Sequence, residues 1–377
     1  MPSCRRPNAG EVKGWLLAVV SVVFMALGFV VGDRLGPGED SDPLPIDLEP
    51  GRYVALGDSY SAGEGLPPWE EGTQDVSRGG DRCHRSQRFA YSLHLAFADE
   101  TTTQFRACSG AKVQHLYETV QRHGGRPNSQ GLQVGPGIPG EDVALVTLTL
   151  GGNDVNFSDV LRFCFLQSNC PEREYKDQRT LREYATVSLQ ALRTDLVPLY
   201  RRLRQDFPNA RILVLGYPAL FPERAPRITR IESAVCNIFF NKWTAPERTA
   251  VRDWGTDLNN SIQGATLEAS REVEPQSAIE FVDVSSHFSG HEPCTTNGEW
   301  VNFIRPSRAK DIRDGSFHPL RVGQYMLARI VSCHLAVFPS ADTERTTSTG
   351  YAMTGCVARE TALVHPQPDV GGDRSDN

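Results

Sequence analysis

Four short stretches of the chain hold residue types that together make nucleophilic chemistry. The first, YVALGDSYSAGEG (Tyr53–Gly65), runs an apolar strand into Gly57, Asp58 and Ser59. A strand that breaks at a serine can aim the hydroxyl out of a sheet and set backbone N–H groups beside it. The same letters also suit a polar turn in which Asp58 or Ser59 caps a helix. They do not make the G-x-S-x-G elbow, because Ser61 stands where its second glycine would be. The second stretch, LTLGGNDVNF (Leu148–Phe157), ends a β-branched run in glycines, beyond which Asn153 can present an amide donor. The third, FRACSGAKV (Phe105–Val113), sets Gly110 between a short strand and a helical stretch, where its N–H can be a further donor. Both also read as ordinary turns. Donors held in place around a developing negative oxygen are each worth roughly 2.7–4 kcal/mol in a transition state. The fourth, DGSFHPLRVGQ (Asp314–Gln324), puts His318 before Pro319 at the entrance of the last helix. A serine nucleophile needs such a base within hydrogen-bond reach, and the base needs an orienting partner. His84, His94, His115, His287, His291 and His334 sit in no such pattern and read as structural.

These stretches can meet only if the intervening elements bring them together. RYVALGD, VALVTLTLGGND, ARILVLGYP and AIEFVDV read as short buried strands. AYSLHLAF (Ala90–Phe97) reads as a helix. LREYATVSLQALRTDLVPLYRRLRQDF is a long amphipathic helix, with Leu189, Leu192, Leu196, Leu199 and Leu203 along one face. A further helix starts at Thr244, its cap, with Pro246 in the first turn, and RVGQYMLARIVSCHL closes the body. Short buried strands alternating with helices predict an α/β domain with a mostly parallel sheet. In such sheets a site forms beyond the carboxyl ends of the strands. Ser59, the glycines before Asn153 and the segment after Asp283 all fall there.

The chain of 377 residues has a net charge of −7 and 39% hydrophobic residues, a globular profile. No basic stripe is present, which argues against nucleic acid as a partner. Arg5, Arg6 and Lys13 precede an uncharged apolar run, Gly14–Gly32. That is the pattern of a secretory signal, and at about 18–20 residues it is also long enough to span a bilayer. Residues 1–35 therefore read as a signal or membrane anchor, with the remainder exported. Residues 36–50 form a Pro-, Gly- and acid-rich linker, 51–338 the folded domain, and 339–377 a polar tail expected to be poorly ordered. Eight of the nine cysteines follow the apolar run, an even number that fits an oxidising compartment. The absence of CxxC argues against a zinc site.

Taken together, GDSYSAGEG, ACSGA, LTLGGNDVNF, FSGHEPC and SFHP, in this order and spacing, resemble the SGNH/GDSL hydrolases, in particular secreted actinobacterial esterases and lipases. The resemblance runs from about Tyr53 to His334. It implies a three-layer α/β/α flavodoxin-like sandwich with a five-stranded parallel sheet. It places the family's four defining residues on Ser59, Gly110, Asn153 and His318. Ser59 and His318 would be catalytic, and the N–H of Ser59, the N–H of Gly110 and the Asn153 amide would form the oxyanion hole. It implies hydrolysis of small-molecule or lipid carboxylic esters by a monomeric domain, with no metal or organic cofactor. It further implies the disulfides Cys83–Cys108, Cys164–Cys170 and Cys236–Cys294, leaving Cys333 with Cys356. The chain departs from the D-x-x-H pattern of many members, since Gly315 stands three residues before His318 and Asp314 one further back. Either Asp314 reaches the imidazole through a shifted turn, or a backbone carbonyl, that of Gly315, orients it; the carbonyl is favoured. Two other functions fit the same stretches: a carbohydrate O-deacetylase, and a non-catalytic protein binding wall glycan or lipid.

Overall fold

The computed structural model describes residues 45–46, 51–97, 102–222, 243–272, 279–295, 298–303, 315–338 and 356–357. Five strands form its central sheet: β1 (Arg52–Gly57), β2 (Thr103–Phe105), β3 (Val143–Thr149), β4 (Arg211–Leu215) and β5 (Ile279–Val282). All pairings are parallel, and the spatial order is β2-β1-β3-β4-β5. Apolar residues fill both faces of β1, β3 and β4 because both faces are covered.

Among the described residues, helices that frame the sheet and its site are α1 (Ser59–Ala62), α2 (Phe157–Leu166), α3 (Leu181–Asp206), α4 (Ala245–Ala269) and α5 (Arg321–Val337). Capping boxes start two of them: Thr180 with Glu183 opens α3, and Thr244 with Glu247 opens α4. The predicted leucine face of α3 is buried throughout. The crossovers through α3 and α4 step across the sheet in one direction, and these two helices pack on each other. The β1-to-β2 crossover steps the opposite way, so right-handed connections put it on the other face. There α5 packs against its helical turn, Tyr91–His94.

The expected three-layer α/β/α sandwich with a flavodoxin-like parallel sheet is thus present. Its strand order reverses between β1 and β3, the switch point where such sheets bind ligands. One helix is shorter than expected. In Ala90–Phe97 only the turn Tyr91–His94 is helical, because Ala96–Phe97 pairs with Pro45–Ile46 as parallel strand. That pairing places Pro45–Ile46, inside the segment read as a linker, against the domain. The expectations for the apolar run and for most of the tail lie outside the described residues. Among the described residues no helix is long and apolar enough to cross a membrane.

Candidate active site

The GDS turn is shaped by a glycine that no other residue could replace. Gly57 has φ +116°, and a Cβ there would fall 2.5 Å from the Thr149 carbonyl oxygen. Its N–H donates to Gln133 Oε1 and its C=O accepts from Gln133 Nε2, both at 2.8 Å. The Asp58 N–H then donates to the Thr149 C=O at 2.9 Å, so β1 breaks away while still fastened to β3. Ser59 opens α1 from this turn, with Asp58 as N-cap accepting the Tyr60 N–H at 3.0 Å. The cap reading and the nucleophile reading of GDS are therefore compatible, because they use different residues.

The two expected donor loops are tied to each other. Asn153 Nδ2 donates to the Ala111 C=O at 3.0 Å, and the Val113 N–H donates to Asp154 Oδ1 at 3.1 Å. An amide NH2 has two hydrogens, so Asn153 keeps a second donor. The N–H groups of Ser59 and Gly110 have no hydrogen-bond partner among the described residues. Gly110 adopts φ +79°, a left-handed conformation that turns the chain at this point.

His318 Nε2 lies 2.7 Å from Ser59 Oγ. Its Nδ1 donates to the Ser316 carbonyl at 2.8 Å. The orienting group is thus a backbone carbonyl, but that of Ser316 and not Gly315: from two residues away the tight turn at Phe317 (φ +60°) folds the carbonyl under the ring. Asp314 lies outside the described residues. The turn is held from the nucleophile side, where Tyr60 donates its hydroxyl to the Phe317 C=O at 2.5 Å. The Tyr60 and His318 rings are 5.0 Å apart.

Ser59, Gly110, Asn153 and His318 share one cavity of about 550 Å³, walled also by Phe157 and Tyr217. A second hollow of about 490 Å³ between α2, α3 and α4 contains none of them. At the cavity's base Asp58 is buried and accepts Thr149 Oγ1 at 2.7 Å and the Tyr217 hydroxyl at 2.5 Å. Burial pushes its carboxyl above the usual range, against the pull of these bonds. The Tyr217 hydroxyl also accepts the Gly152 N–H at 3.0 Å, joining the β1 turn to the β3 turn. Tyr217 was not among the sequence candidates, although it too follows a strand end. The Ser316 carbonyl, a backbone group, leaves no signature in the sequence.

The disulfides Cys83–Cys108 and Cys164–Cys170 are formed, as is Cys333–Cys356. Cys294 is also in a disulfide; Cys236 lies outside the described residues. No group of three or more metal-ligating side chains is present among the described residues.

Known proteins are similar in sequence and fold. The model of the GDSL-like lipase/acylhydrolase family matches residues 55–324. Lipase 1 of Streptomyces coelicolor is 29% identical over 274 residues, 72% of this chain and 82% of that protein. A phospholipase A1 from Streptomyces albidoflavus superposes with a TM-score of 0.53 at 28% identity, covering 73% of this chain and 95% of its own. An extracellular lipase from Streptomyces rimosus gives a TM-score of 0.50 at 25% identity, covering 73% and 94%. Fold and relatives define the class, a carboxylic ester hydrolase. The chain belongs to the GDSL-like lipase/acylhydrolase family.

Proposed function

We propose that Ser59 and His318 hydrolyse carboxylic esters through an acyl-enzyme, and that the enzyme is exported. The observation that carries this reading is the 2.7 Å approach of His318 Nε2 to Ser59 Oγ. With Nδ1–H given to the Ser316 carbonyl, the neutral ring keeps its lone pair on Nε2, facing the hydroxyl. Nε2 takes the Ser59 proton as Oγ bonds to the ester carbonyl carbon. The carbonyl electron pair moves to oxygen, where the N–H groups of Ser59 and Gly110 and the Asn153 amide receive it. Collapse of that intermediate expels the alkoxide, which takes the proton from His318. Water then attacks the acyl-enzyme, giving a proton to the same nitrogen, and as the second intermediate collapses that proton returns to Ser59 Oγ, releasing the acid and free Ser59.

Phe157, Leu161 and Leu258 give the cavity an apolar wall suited to an acyl chain, in keeping with the lipase and phospholipase relatives. Export is supported by the basic residues before Gly14–Gly32, by the disulfides, and by the extracellular S. rimosus lipase. The test is covalent labelling by a serine-directed phosphonate. Wild type is expected to label and Ser59→Ala not; undiminished labelling of Ser59→Ala removes Ser59 as nucleophile. Turnover of p-nitrophenyl acetate, butyrate and palmitate then sets the acyl preference, acetate alone marking a deacetylase.

A further inference from the structure

The turn that presents Ser59 continues into a buried carboxylate for which the hydrolysis has no direct use. Glu64 is 5% exposed and reaches the wall of the same cavity. Its two oxygens receive three donors: His84 Nδ1 at 2.9 and 3.0 Å, the Gly65 N–H at 3.0 Å and Ser109 Oγ at 2.5 Å. His84 is itself held by Asp75 Oδ1, 3.2 Å from Nε2, and by stacking on Trp69. Burial would raise the Glu64 carboxyl, but the bonds and charge of His84, the charge interaction with His318 and the bond from Ser109 outweigh it and hold it below its usual range. Glu64 is therefore a permanent acceptor.

Ser109 is the residue before Gly110, and every polar group it has is engaged. Its N–H donates to the Cys83 C=O at 3.0 Å, beside the Cys83–Cys108 disulfide. Its C=O accepts from Gln121 Nε2 at 2.7 Å and faces His123 Nε2 at 3.0 Å. These contacts hold the loop to its own neighbourhood. Among the bonds Ser109 makes to described residues, the hydroxyl's reaches the chain turn that carries Ser59, beside the bond from the Cys108 N–H to the Gly57 C=O at 3.0 Å. One residue on, Gly65 packs so closely on the histidine loop that a Cβ there would fall 2.6 Å from Gly315 Cα. The stretch Gly63–Gly65 thus touches both loops that must converge on Ser59.

We infer that Glu64 is a positioning residue for the proposed ester hydrolysis, fixing the Gly110 N–H relative to Ser59 by holding the Ser109 hydroxyl. An oxyanion donor acts only if its N–H stands 2.7–3.1 Å from where the charge will form. Ser59 and Gly110 hang from different strands, β1 and β2, and small shifts of either would open that distance. The inference rests on Ser59 being the nucleophile.

Steady-state kinetics on p-nitrophenyl butyrate test it in the full chain with Glu64→Ala, Ser109→Ala, the double variant and Ser59→Ala. Concentrations are set by phosphonate titration of active sites, or by absorbance for Ser59→Ala, which offers the phosphonate no hydroxyl, and thermal unfolding is followed in parallel. Each single variant is expected to lose about 10–100-fold in kcat with KM within about twofold, since the donor acts in the transition state. The double variant is expected to lose no more than the worse single, because both act through one bond. A merely structural role lowers Tm and the titratable fraction but leaves kcat per titrated site unchanged, and that result overturns the inference. So does multiplication of the two losses in the double variant. If Glu64→Ala does not fold, Ser109→Ala decides alone. Turnover retained by Ser59→Ala overturns the nucleophile reading; a dead Ser59→Ala beside an unaffected Ser109→Ala overturns only the role of Glu64.

Discussion

The two ends of the proposed site, the nucleophile end at Ser59 and the histidine end at His318, are held by opposite means. Around Ser59, side chains grip the backbone: Gln133 clasps Gly57, while Asp58 takes donors from Tyr60, Thr149 and Tyr217. Around His318 the backbone grips the side chain, through the Ser316 carbonyl. Its loop is held by Tyr60 and by the backbone of Asn302, which exchanges bonds of 2.8 and 3.1 Å with His318 and Phe317. In the proposed hydrolysis the difference follows from what each end must do. Oxyanion donors on a main chain cannot be re-aimed by a rotamer, so the chain itself must be locked. An imidazole needs only the right tautomer and orientation, which one carbonyl can fix.

The largest effect expected falls at the histidine end. His318→Ala removes the proposed base and is expected to lower kcat on the order of 10⁴-fold or more. Asp314→Ala is expected to cost far less, because the acceptor for Nδ1 is the Ser316 carbonyl. Steady-state kinetics of both variants decide the matter: equal losses would mean that a carboxylate supports the imidazolium after all.

At the nucleophile end, Asn153→Ala is expected to lower kcat by about 10²–10³-fold with little change in KM, the signature of a lost oxyanion donor. A smaller effect, of about 1–3 kcal/mol on stability, is expected for Tyr217→Phe. That change strips the buried Asp58 carboxylate of one donor and leaves the Gly152 N–H without its acceptor. Urea unfolding measures it; an unchanged midpoint would mean that the bridge between the two turns carries no load.

The same contrast explains what could be read from the sequence. The strands were legible because buried parallel strands are continuous apolar runs, and α3 because its leucines keep one face. Ser59, Gly110, Asn153 and His318 were legible as types, since strand ends, glycines and X-Pro steps leave local marks. The acceptor for His318 was misassigned by one residue, because any residue supplies a carbonyl and only the φ of Phe317 decides which one lies under the ring. Tyr217 escaped because its role depends on β4 lying next to β3 in the sheet, a fact of topology. The short helix at Tyr91 was overread because Ala96–Phe97 finds a partner strand some 50 residues upstream, and pairing across the fold overrides local propensity.

The finest test separates two carboxylates beside the Ser59 turn, Asp58, which is buried, and Asp154, which is half-buried. Asp58 has three donors, whereas Asp154 has the Val113 N–H on Oδ1 and no hydrogen-bond partner for Oδ2 among the described residues. Burial, with the nearby Asp58 charge adding to it, pushes Asp154 up to about 6. A carboxyl raised by folding favours the native state while protonated, and that contribution is lost as pH rises through the folded value. The Asp154 contribution to wild-type stability should therefore fall as pH rises from the ordinary carboxyl value of 3.8 to about 6, and level off above it. Asp154→Asn keeps an acceptor for Val113 and cannot ionise. Its Tm should match wild type below about pH 4 and exceed it by a few degrees at about pH 8. A Tm difference that stays constant across this range would mean that Asp154 titrates normally and that its unpartnered oxygen finds water. A widening difference would instead show that below about pH 6 the two donor loops are joined through a neutral acid, beside a Ser59 turn joined through Glu64, a charged one.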